Sequence, residues 1–205
     1  MIPVQKLWDG QTVVCIGGGP SLTAADVNAV RGVARVIAIN DAYRLAPWAD
    51  VLYACDDKWW GWHEGVKSFT GPKYSIESSS PVRWPDVQIL KNTGTTGLEL
   101  DPSGLRTGFN SGYQAIGLAK HFGAARILLL GYDMSPDGTQ THWFGEHPDG
   151  QPSPYQKMRE AFDTIVEPLR DSGVEVINCS RRTALRAFAC APLEQELARL
   201  QERAA

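Results

Sequence analysis

The 205-residue sequence lacks any apolar run approaching the roughly 20 residues that span a bilayer, and Met1 to Gly10 hold no apolar core of a signal peptide. These absences predict a cytoplasmic protein with no membrane span. A Cys-x-x-Cys pair is also missing. Cys15, Cys55, Cys179 and Cys190 are scattered, and most end or lie within apolar runs, which predicts reduced core thiols rather than a disulfide framework or a zinc site. Basic charge is not in excess: a net charge of −3 gives no electrostatic footprint for tight nucleic-acid binding, although a local basic patch stays open. There is no internal repeat and no long low-complexity run. What is abundant is apolar side chain, 43% of the residues, enough for a sizeable core in one domain spanning 1–205.

The chain is organised around Val13-Val14-Cys15-Ile16-Gly17-Gly18-Gly19-Pro20-Ser21-Leu22. A short β-branched run predicts a buried strand, the glycines a tight turn, and Thr23 with Asp26 a capping box opening a helix. Such a loop would offer unpaired N–H groups to a phosphate or ribose at Gly17, Gly18, Gly19 and Ser21. Two well-known variants fail in whole or part. No Lys-Ser/Thr follows the glycines, as ATPases require, and Leu22 stands where a dinucleotide fingerprint has its third glycine. A ligand-free βα turn remains an alternative.

Further along, Ala34–Ile39 and Val51–Cys55 read as strands whose carboxyl ends deliver Asn40-Asp41 and Asp56-Asp57 to the same rim. Asn40 or Asp41 stands where a ribose hydroxyl is commonly read, and Asp41 equally suits a helix cap. Trp59, Trp60 and Trp62 could stack on a ligand, but burial suits at least two of them better. Tyr74–Ile76 and Val87–Leu90 are further short strands. Asn110 or Ser111 caps a helix over Tyr113–Phe122, with Arg106 near enough in sequence to pair with a phosphate there. Arg126–Leu130, the most apolar strand, is expected to be central and to end at Asp133. One helix is expected over Pro154–Asp171, a strand over Val174–Asn178, then helices over Ala184–Phe188 and Leu193–Arg203. The alternation predicts an α/β, doubly wound, Rossmann-like domain with a mostly parallel sheet. Stretches about 77–106 and 135–154 are rich in turn residues and read as lid-like loops over the carboxyl ends of the strands. The second carries His142, Glu146 and His147; histidine suits proton transfer near neutral pH, and the spacing lacks the His-Glu-x-x-His of a zinc helix.

Taken together, Ile-Gly-Gly-Gly-Pro-Ser-Leu, Ile-Asn-Asp, Asn-Ser-Gly-Tyr-Gln-Ala-Ile, Leu-Leu-Leu-Gly-Tyr-Asp-Met, the His-Trp-Phe-Gly loop and Val-Ile-Asn-Cys-Ser resemble two related groups. One is the bacterial sialyltransferases of glycosyltransferase family 42. The other is the domain of unknown function 115, with flagellin-modification proteins and the archaeal hydroxymethylpterin pyrophosphokinase; uncharacterised phage-encoded proteins look closer still. The resemblance implies an inverting transferase that binds a CMP- or UDP-linked sugar through Gly18, Asn40 and Asp56, with Arg106 and Ser111 near the phosphate. It also implies a histidine base, His147 or else His142, acting on a glycan, a small molecule or a modified DNA base. The sequence departs from the family in having Met134 and Ser135, not tyrosines, after Asp133, and an aspartate at 56 where the family has asparagine. Asp56, Asp57 and Asp133 could therefore hold Mg²⁺ and a triphosphate for diphosphate transfer, the second reading; no other cofactor is implied. A binding protein without chemistry is the third. Assembly into homo-oligomers is open on sequence.

Overall fold

A computed structural model describes residues 2–80, 82–146, 148, 150 and 152–204. Nine strands form one sheet in the order β6-β5-β4-β3-β2-β1-β7-β8-β9. They are β1 (Thr12–Ile16), β2 (Arg35–Ile39), β3 (Val51–Tyr53), β4 (Lys73–Ile76), β5 (Val87–Asn92), β6 (Gly104–Leu105), β7 (Arg126–Leu130), β8 (Glu175–Asn178) and β9 (Ala189–Cys190). Every pairing among them is parallel. The chain walks outward from β1 to β6, then returns across the sheet to lay β7 on the other side of β1. That reversal makes the β1/β7 junction the topological switch point of a doubly wound α/β fold, where the connecting loops diverge and leave a crevice.

Parallel strands covered on both faces need apolar side chains in both directions, and the sequence supplies them. Val13, Cys15, Ile37, Ile39, Ile127 and Leu129 point to a layer made by α3 (Ser111–His121), α4 (Tyr155–Asp163) and α5 (Val166–Asp171). Val14, Ile16, Val36, Ala38, Leu128 and Leu130 point the other way, toward α1 (Ala24–Ala29), α2 (Asp57–Trp62) and α6 (Leu193–Ala204). Trp59 and Trp60 belong to that second layer, as burial favoured, whereas Trp62 is 39% exposed. No helix among the described residues is long and apolar enough to cross a membrane.

Several expected elements change. β7 is fully buried but third from the edge, and β2 holds the middle of the sheet. The stretch 77–106 is not one loop, because β5 and β6 extend the sheet through it. The single helix over Pro154–Asp171 breaks between α4 and α5. Pro168 has no N–H to offer the carbonyl of Thr164, and its ring would clash with that carbonyl in a continuous helix. No helix forms over Ala184–Phe188: Ala184 N donates to Asp133 O (2.7 Å) and Leu185 N to Thr183 Oγ1 (3.0 Å), drawing the backbone against the β7 loop before β9 pairs with β8. A short helix, α2, forms over the tryptophan run, where none was expected.

A buried ion pair fastens α6 to the sheet. Arg126, on β7, lies 2.5 Å from Glu196 and 2.9 Å from Glu175, and the Glu196 side chain is fully buried. Glu196→Ala removes the fully buried partner and leaves Arg126 only the half-exposed Glu175, so it is expected to destabilise the fold by about 1–3 kcal/mol, whereas Arg126→Ala strands the buried Glu196 carboxylate and is expected to cost about 3–5 kcal/mol. Urea denaturation of both variants checks this, and a loss below about 1 kcal/mol in Arg126→Ala would show that the pair does not fasten α6 to the sheet.

Candidate functional site

The crevice at the switch point is a cavity of about 260 Å³ lined by the ends of β1, β2, β3 and β7, the first turn of α3, and Thr141, His142 and Phe144. Its floor is the glycine loop. None of Gly17, Gly18 and Gly19 adopts the left-handed backbone; what each supplies is the missing Cβ. A Cβ on Gly17 would meet the Gly131 carbonyl at 2.8 Å, and one on Gly19 would stand 2.1 Å from Asp133 Oδ1. Asp133 fills that space as a clasp, accepting Ser21 N–H on Oδ2 and the Ser21 hydroxyl on Oδ1, both at 2.9 Å. Burial pushes its carboxyl above the usual range, against the opposing pull of the Ser21 bonds and the Arg182 charge.

This clasp changes the expected role of the loop. Gly17 N donates to Leu130 O and Gly19 N to Gly131 O (both 2.8 Å), and Ser21 N is held by Asp133. Thr23 and Asp26 complete the predicted capping box of α1. The donors foreseen for a phosphate at Gly17, Gly19 and Ser21 are thus turned inward, and Ser21 is not among the cavity-lining residues. A better anion pole is α3. Asn110 Oδ1 caps it by accepting Tyr113 N–H (2.8 Å), and helix geometry leaves the N–H groups of Ser111 and Gly112, both cavity residues, without intrahelical acceptors.

Around this floor the backbone is strained. Asn40 (φ 50°), Phe109 (φ 63°) and Met134 (φ 50°) are non-glycine residues in the left-handed region, and all three line the cavity. Asn40 Oδ1 is buried and finds no donor among the described residues. Asp41, its neighbour, turns away from the crevice: Oδ2 accepts Trp59 Nε1–H at 2.9 Å, and Arg44 and His63 lie at 3.4 and 3.5 Å. Cys55 and Ser111 meet across the β3/α3 gap, the Ser111 hydroxyl 3.1 Å from Cys55 Sγ and accepting Cys55 N–H at 3.2 Å. Burial and the adjacent Asp56 push the Cys55 thiol up, which disfavours its thiolate.

Arg106 is placed elsewhere. Its guanidinium donates to Thr96 O (3.0 Å), lies 3.8 Å from Glu99, and does not line the cavity. Of the carboxylates considered for magnesium, Asp56 lines the cavity, Asp57 is the first residue of α2 and does not line it, and Asp133 is engaged by Ser21. Among the described residues no three His, Cys, Asp or Glu side chains gather as metal ligands would. His147 lies outside the described residues.

The roof is the stretch 135–146, folded as two tight turns with bridges at Asp137–Gln140 and His142–Gly145. It is secured to the floor where Trp143 N donates to Gly18 O (3.1 Å), and a Cβ on Gly18 would touch the His142 ring at 3.2 Å. His142 stacks on Phe144, centroids 5.0 Å apart. Its Nδ1 is 2.8 Å from Thr141 Oγ1, which is 2.9 Å from Glu146 Oε1. Thr141 was not foreseen, since a lone threonine beside a histidine carries no signal until the turn closes. At the base of the roof, Arg182 reaches Asp137 (2.8 Å) and Pro136 O (3.1 Å), while Arg181 grips both oxygens of Asp26 at 2.8 Å.

No family model matches the chain, and no curated protein does. Among solved structures, a short-chain dehydrogenase from Oenococcus oeni PSU-1 is 11% identical, over 95% of this chain and 89% of that one, with a TM-score of 0.29.

The glycine geometry gives a direct test. Gly19→Ala forces the Asp133 clasp apart and is expected to cost about 1–3 kcal/mol, whereas Gly61→Ala, with open space around its Cβ inside α2, is expected to gain about 0.5–1 kcal/mol. Denaturant titration of the two variants side by side would refute the clasp if Gly19→Ala proved neutral.

Proposed function

We propose that the protein is an inverting transferase that moves a sugar from a nucleotide-sugar donor to an acceptor hydroxyl, with His142 as general base. The observation that carries this reading is the position of His142: an imidazole on the roof, in contact with the glycine floor, lines the same cavity as the first turn of α3. A base and an anion pole sharing one small cavity suit a reaction that takes a proton from one partner and leaves negative charge on the other.

In this reading the donor's ribose hydroxyl supplies the hydrogen bond that Asn40 Oδ1 lacks, and its phosphate rests on the N–H groups of Ser111 and Gly112. The acceptor oxygen attacks the anomeric carbon as His142 takes its proton. The bond between sugar and phosphate oxygen breaks with its electron pair, and the dipole of α3 offsets the charge that appears there. Arg106, tied to Thr96 and Glu99, has no part in the step. The acceptor is a hydroxyl of a glycan or small molecule.

Thermal shift and transfer assays test this together. CMP or UDP without magnesium is expected to stabilise the protein, by about 2.7 kcal/mol at a hundred times the dissociation constant. His142→Ala should keep that shift and lose about 10²–10⁴-fold in transfer, with His147→Ala assayed in parallel. Stabilisation by ATP only with magnesium would replace this reading with diphosphate transfer. Full activity in His142→Ala would remove His142 as the base.

A further inference from the structure

We propose that Lys157 is a phosphate-binding residue of the cavity, parked on the Phe109 ring in the ligand-free protein and turning from it to pair with the phosphate of the donor. The inference rests on the reading of the cavity as a nucleotide-sugar site, and it supplies the cation which that reading lacks.

The need is electrostatic. Among the described residues, those lining the cavity include Asp56 and Asp133 but no lysine or arginine. A phosphate seated on the N–H groups of Ser111 and Gly112 has only the partial charge of a helix end to set against those carboxylates, and breaking its bond to the sugar adds a further negative charge. Two arginines that sequence or fold brings near are already engaged. Arg106 lies 3.8 Å from Glu99, and Arg182 lies 2.8 Å from Asp137.

Lys157 is placed differently. It is an exposed residue in the first turn of α4, which also delivers Tyr155 and Met158 to the cavity wall, and its Nζ lies 3.8 Å from the centroid of the Phe109 ring. Among the described residues it forms no ion pair. Phe109 lines the cavity and immediately precedes Asn110, the cap of α3. One side chain fixes both: Asn110 Oδ1 accepts Tyr113 N–H, and Asn110 Nδ2 donates to Gly108 O (2.8 Å) across the left-handed turn at Gly108 and Phe109. The seat of the ammonium and the N–H groups of the anion pole therefore belong to one corner. A glycine would hold φ 63° without strain but would offer the ammonium no ring. A cation–π contact at an exposed site is weaker than a charge-assisted hydrogen bond to phosphate, so an arriving phosphate outcompetes the ring. The flexible four-carbon stem lets the ammonium change partners while α4 stays in place. Arg159, on the same helix, donates instead to Met134 O (2.9 Å) and stays with that turn.

The test compares ligands that differ only in phosphate. Calorimetry gives the affinities of CMP against cytidine, and of UDP against uridine, for the full-length wild type, Lys157→Met and Lys157→Arg. Lys157→Met keeps an apolar stem over Phe109 and removes the charge. It is expected to lose about 10-fold in nucleotide affinity with nucleoside affinity unmoved, and Lys157→Arg to recover most of that loss. In wild type labelled with ¹³C-lysine, the Lys157 ε-methylene signal, assigned by its absence from Lys157→Met, is expected upfield of the other lysines because of the Phe109 ring current. Nucleotide should move it downfield and nucleoside should not. Unchanged nucleotide affinity in Lys157→Met, an equal loss for nucleoside and nucleotide, or a signal that nucleotide leaves in place overturns the proposal. Transfer assays on wild type separate the two readings. Sugar transfer without any dependence of nucleotide binding on Lys157 sinks this inference and leaves the proposed function standing. Nucleotide binding that depends on Lys157, with no sugar transferred, does the reverse.

Discussion

The close approach of the glycine loop to the end of β7 is the constraint on which the rest of the structure depends. Gly131 O and the Asp133 carboxylate occupy the space that side chains at positions 17 and 19 would take. In return they accept the N–H groups of Gly19 and Ser21, and Leu130 O accepts that of Gly17, so a segment with almost no side chains is held as a firm floor. The same contact joins the two halves of the sheet where the strand order reverses, and hydrogen bonds continue outward from it. Thr183 Oγ1 donates to Tyr132 O, Ser180 Oγ accepts Tyr132 N–H, and Arg182 reaches the start of the roof. Floor, switch point and roof are thus one hydrogen-bonded assembly.

Local rules made much of this legible. The capping box at Thr23 and Asp26, the Asn110 cap of α3 and the apolar strands each follow from residues within a few positions, and each is present. What sequence could not yield depends on partners far along the chain. β6 and β9 have two residues each and exist only because a neighbouring strand edge pairs with them. Asp133 looked like a rim carboxylate available to a ligand. Its engagement becomes visible only once Ser21, 112 residues away, is folded against it. Arg106 looked equally available, and Thr96 and Glu99 claim it. Polar side chains near a site are read from sequence as donors to a ligand; the fold decides which of them the protein has already used.

The strain at Asn40, Phe109 and Met134 has its explanation in the same terms. Each sits where a strand or loop must turn abruptly at the crevice, and each could be relieved by glycine without loss of the turn. Left-handed backbone at a non-glycine residue costs of order 1–3 kcal/mol, so a side chain there has to be useful. At Asn40 the use is visible, a buried acceptor with no donor among the described residues, set at the carboxyl end of β2. A bare glycine would lift the strain and remove the acceptor with it.

The two halves of the cavity are held by different kinds of interaction, which bears on how chemistry could be divided between them. The lower half, the ends of β1, β2, β3 and β7 and the start of α3, is anchored by sheet ladders and by core side chains buried on both faces. The upper half, 135–146, is tied down by the Trp143 N to Gly18 O bond, by Trp143 packing against the core, by the Arg182 contacts at its base, by Tyr155 OH to Thr141 O, and by short bonds within its own turns. Segments with few backbone links to the core open at a smaller free-energy cost than the core itself. In the proposed reading the binding surface lies on the sheet-anchored half and the base on the roof, so that displacing the roof would admit a ligand without disturbing the floor. The Thr141 contacts with His142 and Glu146 lie within the roof and would move with it. In that reading the contacts between Thr141 and the His142 ring would not have to be rebuilt from distant parts of the chain.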